Sequence, residues 1–480
     1  MSGENTPLLS DNNNNKSSGT PRDGDNIEDT QRQRRRDRHY THHYNHYHAQ
    51  GQACNTRCDS AIDLLATAEA ETPDLLAERP GQGSSFLAYV NVVCIVAGSG
   101  TLALPYTLKL AGWIGVGILI LSLIMSIYAA NVLVKCLYYD GKTRLSSYQE
   151  VGRHAFGRGG SMAVWFFYTT TVIGVPVMFL ILAGTELKNI VVGTDIDVKG
   201  WIWICAAIVA VPFVCFKSLK EVAITSVLGA LATLVLVVVV VRGSILDLGN
   251  PIYANVLHNL MVFAHLPTAV ASMSMCFGGN VIYIHVEESM RYPKSWNRVV
   301  AAALCTCTVL YLATAIPGYL AYGDLAESPI LNNLPKDVFT TIGTVVIIIH
   351  VLFTAPIPLT SLALEIERLF AITIEFRGAT TERFLRTLLR LTIIAVCGTI
   401  ACTVPYFGDF LALLGALSNC TLAFVLPVAC YVKLVGWRAG MKWGEVVWCF
   451  GVLVVGVVGA VVGSFDAVRA LKEDFERDHP

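Results

Sequence analysis

Apolar residues along this chain fall in long blocks separated by short polar stretches, and not at the spacings of a half-buried surface helix or strand. A hydrocarbon core of about 30 Å needs roughly 20 consecutive apolar residues per helix. Eleven blocks come close to that length, at approximately 86–108, 113–139, 161–185, 201–216, 223–241, 259–290, 298–322, 338–364, 387–404, 408–434 and 443–467. The pattern predicts an all-α membrane protein of eleven transmembrane helices. Its fourth block is short and its sixth is long, so the sixth helix is expected to be bent or interrupted. Polar segments flank this body: a disordered N-terminal tail over 1–85 and a short C-terminal tail over 468–480.

Composition agrees with the pattern. The chain is 54% hydrophobic and 15% charged, where about 25% charged is usual for a soluble domain. A net charge of −1 excludes a strongly basic nucleic-acid binder, because the phosphate backbone must be met by a cationic excess. A carrier, channel, sensor or intramembrane enzyme remains. The 14 cysteines lie mostly inside apolar blocks, where Cys acts as a small apolar residue, and no disulfide framework is readable. The tail carries His39, His42, His43, His46 and His48, then Cys54 and Cys58. Their spacing matches no closed zinc site, so no metal and no cofactor are expected.

Lys and Arg set orientation, because they are retained on the cytoplasmic side during insertion. With the N-terminus inside, inward loops and helix ends carry 18 of them and outward loops carry five. The imbalance predicts a cytosolic N-terminus and a C-terminus on the other side, which an odd number of spans satisfies.

Two glycine clusters interrupt the apolar blocks. The first block contains Gly98, Ser99, Gly100 and Thr101, with Pro105 following; the sixth contains Phe277, Gly278, Gly279 and Asn280. With ten spans divided into two halves of five, these are the first helices of each half. Corresponding interrupted helices mark the binding site of an inverted-repeat transporter. Close helix packing is the alternative reading of either cluster alone. An unwound stretch offers N–H groups at the start of a half-helix, which suit a carboxylate. It also frees carbonyls, which suit an ammonium group. Residues 98–101 are therefore assigned to a substrate carboxylate and Phe277–Gly279 to its ammonium, together the common part of an amino acid. Tyr168, with Thr169–Thr171, forms a polar patch in the third block that faces either substrate or a neighbouring helix.

These residues resemble a known family. NVVCIVAGSGTLALPYTLKLAGW (91–113) is similar to the first-helix motif of the amino acid/auxin permease family, and FGGNVIYIHVEESMRYPKSWNR to its sixth helix and following loop. GYLAYGDLAESPILNNLP (318–335) and LLGALSNCTLAFVLPVACYVKL (413–434) resemble its seventh-helix exit and tenth helix. The nearest likeness is to fungal-type vacuolar amino acid transporters. The resemblance covers roughly 86–467. It implies a five-plus-five inverted repeat of the leucine-transporter type, with broken first and sixth helices plus one extra helix. It also implies secondary active amino acid transport, usually coupled to protons. Sodium-coupled members commonly place an Asn four residues before the first glycine motif; here Cys94 stands there, a poor ligand for a hard cation. Sodium is thus less favoured than protons, although Thr354, Thr360 and Ser361 offer oxygens.

A proton carrier is sought at span ends or among histidines. Glu287 and Glu288 are adjacent carboxylates just past the sixth-block break, and Glu287 matches the acidic residue the family places before its Met and Pro. The alternative is that Glu287 pairs with Arg291 one turn on as a structural cap. His285 and His350 are further coupling candidates, since imidazole titrates between cytosolic and acidic lumenal pH. At the N-terminus, Glu4 followed by Leu8 and Leu9 looks like a dileucine signal read by a sorting adaptor, which points to a vacuolar or lysosomal membrane, with the plasma membrane as alternative. The function expected is proton-coupled amino acid transport; the rival is an amino acid sensor that keeps the fold and signals through its tail. No catalytic motif supports an enzyme.

Overall fold

The computed structural model describes residues 78, 79, 82–191, 193–215, 223–370, 372, 378–436 and 440–478. Among these the fold is helical throughout, without a strand. Ten helical stretches are long and apolar enough to cross a membrane, and a bent pair at the start of the body makes an eleventh.

That pair is α1 (Ser85–Val96) and α2 (Leu104–Ala111), joined by a 3₁₀ turn over Ser99–Ala103 and bent by 43°. Ser84 caps α1 by accepting the Leu87 N–H, and Pro105 suits the first turn of α2, where its missing N–H costs nothing. Next come α3 (Ile114–Leu137), α4 (Tyr148–Ile190), α5 (Val198–Cys215) and α6 (Ala223–Asp247). The sixth span is two helices, α7 (Leu266–Cys276) and α8 (Asn280–Glu288). After it run α9 (Trp296–Tyr322), α10 (Val338–Thr354), α11 (Pro356–Leu369) and α12 (Ala379–Thr403). The chain ends with α13 (Phe407–Gly436), which widens to π-type turns over Gly415–Asn419 and Thr421–Val425, and α14 (Trp443–Asp478).

Three boundaries differ from the apolar blocks for identifiable reasons. The sixth block reads long because residues 259–262 are not helical: Trp113 and Ile114 donate to the carbonyls of Asn259 and Leu260, and Val262 donates to Ala111. Gly112 permits this, since its φ is 78° and a Cβ there would lie 2.7 Å from the Asn259 carbonyl oxygen. The third span starts well before 161. Tyr148–Ala155 forms a helical lead-in, and the chain then turns at Phe156 and at Gly157, whose φ is 66°; Arg153, His154 and Arg158 mask it in a hydropathy reading. Finally, α14 continues past 467 to Asp478, its polar extension carrying an Arg469–Glu473 pair at 2.9 Å.

Buried side chains gather in two large clusters. One joins α1, α3, α8 and α9 with the second half of α13; the other joins α4, α5, α6, α10 and α12 with the first half of α13. Val211, Val238, Val309 and Phe465 lie exposed on the outside, where lipid is their natural solvent. Between lipid-facing helices the hydrophobic effect gives no drive to associate, so close packing and polar contacts carry the assembly.

Candidate functional site

The two breaks lie against each other and line one side of a cavity of about 140 Å³. α1 stops at Val96, where the glycine-rich stretch gives the chain freedom to leave the helix. α7 stops at Cys276, and Phe277–Gly279 close a tight turn through Phe277 N–H to Ser274 O and Gly278 N–H to Met275 O, both 3.0 Å. Gly98, Gly100 and Gly278 line the cavity with Cys94, Val96 and Cys276, while Thr171, Val175, Phe179, His350, Thr354 and Leu411 form the opposite wall. The first set belongs to the broken helices and the second to α4, α10 and α13. No Asp, Glu, Lys or Arg is among the lining residues.

The other residues assigned to substrate surround this cavity without opening into it. Thr101 is fully buried. Phe277 is buried as well, and a Cβ on Gly279 would run into the Tyr283 ring. Asn280 donates to the Ala423 carbonyl at 3.0 Å, which ties α8 to α13. The side chain of Ser99 lies outside the described set, as do Glu4, Leu8 and Leu9. Tyr168 is not among the lining residues; Thr171, Val172, Val175 and Phe179 supply the cavity face of α4. Thr171 itself shares a 2.5 Å hydrogen bond with Ser418.

Two further side chains hold the breaks. Thr233 of α6 donates to the Ala97 carbonyl at 2.8 Å, and Asn419 of α13 donates to the Ser274 carbonyl at 2.7 Å. Each satisfies a carbonyl near a helix end, a group that is costly to bury alone. Sequence patterning missed both. Asn419 sits in the quoted tenth-helix motif, but nothing local says which way it points.

Of the coupling candidates, only His350 reaches the cavity. Its imidazole is buried, with Nδ1 3.4 Å from the Thr354 hydroxyl. A Cβ on Gly229 of α6 would sit 2.6 Å from its Cε1, so the ring depends on that glycine for space. His285 is exposed near Glu288 at 3.9 Å.

Glu287 belongs to a different structure. It is fully buried at the end of α8, where Arg144 donates to Oε2 through Nε at 3.0 Å and Nη2 at 2.9 Å. Arg79 reaches Oε1 at 3.2 Å and the Tyr138 hydroxyl donates to the same oxygen at 2.6 Å. The expected pairing with Arg291 does not form; Arg291 bonds Glu78 at 2.5 Å. Backbone bonds reinforce the cluster: Gly83 donates to Ser289 O and receives from Arg291, at 2.9 and 2.8 Å. Burial, aided by the hydrogen bond to Glu287, pushes the Tyr138 hydroxyl up to about 12. Burial draws the Arg144 guanidinium down, but Glu287 outweighs it and leaves the group above its ordinary value. Both donors therefore keep their protons at physiological pH.

Known proteins share sequence features with this chain. Residues 81–468 match the family model described as transmembrane amino acid transporter protein. Amino acid transporter AVT1I of Arabidopsis thaliana is 29% identical over 84% of this chain and 98% of its own length. AVT1H of the same plant is 28% identical over 86% of this chain and 96% of its length. A solved structure of a Na+-coupled sialic acid symporter aligns with a TM-score of 0.47 and 13% identity, over 85% of this chain and 94% of that one. With its family model spanning nearly the whole helical body, the chain belongs to the transmembrane amino acid transporter family.

Proposed function

We propose that the protein carries neutral amino acids by proton-coupled secondary active transport across a vacuolar or lysosomal membrane, with its N-terminus in the cytosol. The observation that carries this reading is the cavity at the matched breaks, whose lining includes no Asp, Glu, Lys or Arg. The residues preceding α2 receive the substrate carboxylate, and the carbonyl ends around Phe277–Gly279 receive its ammonium. A charged substrate side chain would be left without a partner in such a lining, at a cost of several kcal/mol.

Protons fit the site better than sodium. Cys94 lines the cavity where an oxygen ligand would serve a hard cation. The hydroxyls of Thr354 and Thr360 are back-bonded to His350 O and Pro356 O at 2.7 Å each. His350 is then the coupling residue best placed beside the substrate. Glu287, with both oxygens bound, serves as an anchor that closes the cytosolic end, and it must be released for that end to open. Rocking of the α1, α3, α8, α9 cluster against the other alternates access to the cavity, as in transporters of inverted-repeat design. Glu4, Leu8 and Leu9 supply the vacuolar or lysosomal address through a sorting adaptor.

Uptake of labelled amino acids into proteoliposomes tests this directly. An imposed pH gradient is expected to drive accumulation of neutral amino acids at least tenfold above charged ones, with no requirement for sodium. Accumulation that follows a sodium gradient and ignores pH refutes the coupling.

A further inference from the structure

Both half-helices that precede a break end in a carbonyl with no following turn to satisfy it. α1 ends at Val96 and α7 at Cys276, so these are equivalent positions in the two halves of the chain. One side chain reaches both. The phenol hydroxyl of Tyr311, on α9, lies 2.7 Å from the Val96 carbonyl oxygen and 2.6 Å from that of Cys276. Tyr311 is fully buried and does not line the cavity, and its ring packs edge-on against Phe277 with centroids 5.5 Å apart. Val96 and Cys276, by contrast, do line the cavity. Thr233 and Asn419 hold one break each.

We infer that Tyr311 is a positioning residue for the substrate site: its hydroxyl pins the two broken helices to one another and fixes the distance between their carbonyl ends. The inference rests on the reading that these ends receive the substrate ammonium. Without the pin, two buried carbonyls lose the single O–H proton they share, and each half-helix is free to settle on its own packing. Binding energy must then be spent on bringing the ends back to the spacing that one ammonium spans, which raises the concentration needed to fill the site. The rate of turnover of the filled carrier depends on other contacts and changes little. The pin also makes the two breaks move as one body, consistent with α1, α8 and α9 lying in the same buried cluster.

The test is a KM and maximal-rate measurement for a labelled neutral amino acid, in proteoliposomes holding equal amounts of folded protein. Tyr311→Phe keeps the ring and removes the hydroxyl. It is expected to raise KM about tenfold, the size of one buried hydrogen bond, with the maximal rate within about twofold of wild type. Tyr311→4-aminophenylalanine keeps the ring and places an N–H donor where the hydroxyl was, and it is expected to keep KM within about threefold of wild type. If Tyr311→Phe does not accumulate as folded protein, the 4-aminophenylalanine variant decides alone, a near-wild-type KM supporting the pin and a tenfold rise overturning it. An unchanged KM in Tyr311→Phe, with or without a lower maximal rate, shows a purely structural hydroxyl and overturns the inference. Gly98→Ala in the same assay separates the two readings. Raised KM for Gly98→Ala with unchanged KM for Tyr311→Phe leaves the site and removes the pin, whereas unchanged KM for both removes the site itself.

Discussion

The cavity beside the helix breaks and the cluster around Glu287 are two polar regions of the helical body, and they are built in opposite ways. The cavity is lined by Gly98, Gly100 and Gly278 of the breaks together with Thr171, His350 and Thr354, and by no Asp, Glu, Lys or Arg. The cluster concentrates one fully buried carboxylate, two arginines and a tyrosine within hydrogen-bond distance of each other. A backbone site can bind a zwitterion and let it go, since its partial charges need no counter-ion when empty. An ion cluster of this density cannot be emptied cheaply; it is a device for holding elements together. The contrast supports the proposal that substrate binds at the breaks and that Glu287 serves the gate.

The largest expected effect comes from breaking the cluster. Glu287→Ala leaves two guanidinium groups without their carboxylate, a loss of about 3–5 kcal/mol for a buried pair. Thermal unfolding should show it as a large drop in midpoint, and amino acid exchange and accumulation should fall together. Wild-type exchange in this variant contradicts the anchoring role and returns Glu287 to the coupling candidates.

Next in size is the cavity's titratable residue. In His350→Gln, exchange of amino acids across vesicles is expected to persist while accumulation driven by a pH gradient disappears. Full accumulation would move proton coupling elsewhere. Smaller still is Tyr138→Phe, which removes one of four donors to Glu287 and should cost about 1 kcal/mol. The sign of its pH dependence is fixed. Because the folded-state value of the Tyr138 hydroxyl is raised to about 12, its contribution is fully present below the ordinary tyrosine range of about 10 and is lost only as pH climbs toward 12. The pH profile of transport between 5 and 8 should therefore be the same in Tyr138→Phe and wild type; a displaced profile would mean that the cluster titrates with the carrier.

The sequence showed the broken helices because glycine is the one residue type whose clustering inside an apolar block signals lost helical structure at membrane depth. It could not say which glycine opens to the cavity. Gly278 does and Gly279 faces Tyr283, a difference set by the turn at Phe277 and not by residue type. Tyr168 and Thr171 make the same point on α4. In a helix that is apolar on nearly every side, periodicity carries no phase, so the polar patch was visible while its facing was not. Glu287 failed differently. Local rules point to Arg291, one turn on, but the partners Arg79 and Arg144 lie 208 and 143 residues away in the chain. Only the folded arrangement of α1, α3, α4 and α8 brings them together. The same holds for Tyr311, whose two acceptors come from opposite halves of the sequence.

The central claim is that substrate occupies the space between the two breaks, and Gly98 tests it most directly. A Cβ at this position meets no protein atom within 4 Å, so a methyl group there enters the cavity without displacing the chain. Purified Gly98→Ala should unfold at the wild-type temperature, yet its affinity for the labelled amino acid, measured by equilibrium binding, should fall at least tenfold. Unchanged affinity, with the same unfolding temperature, would contradict the account.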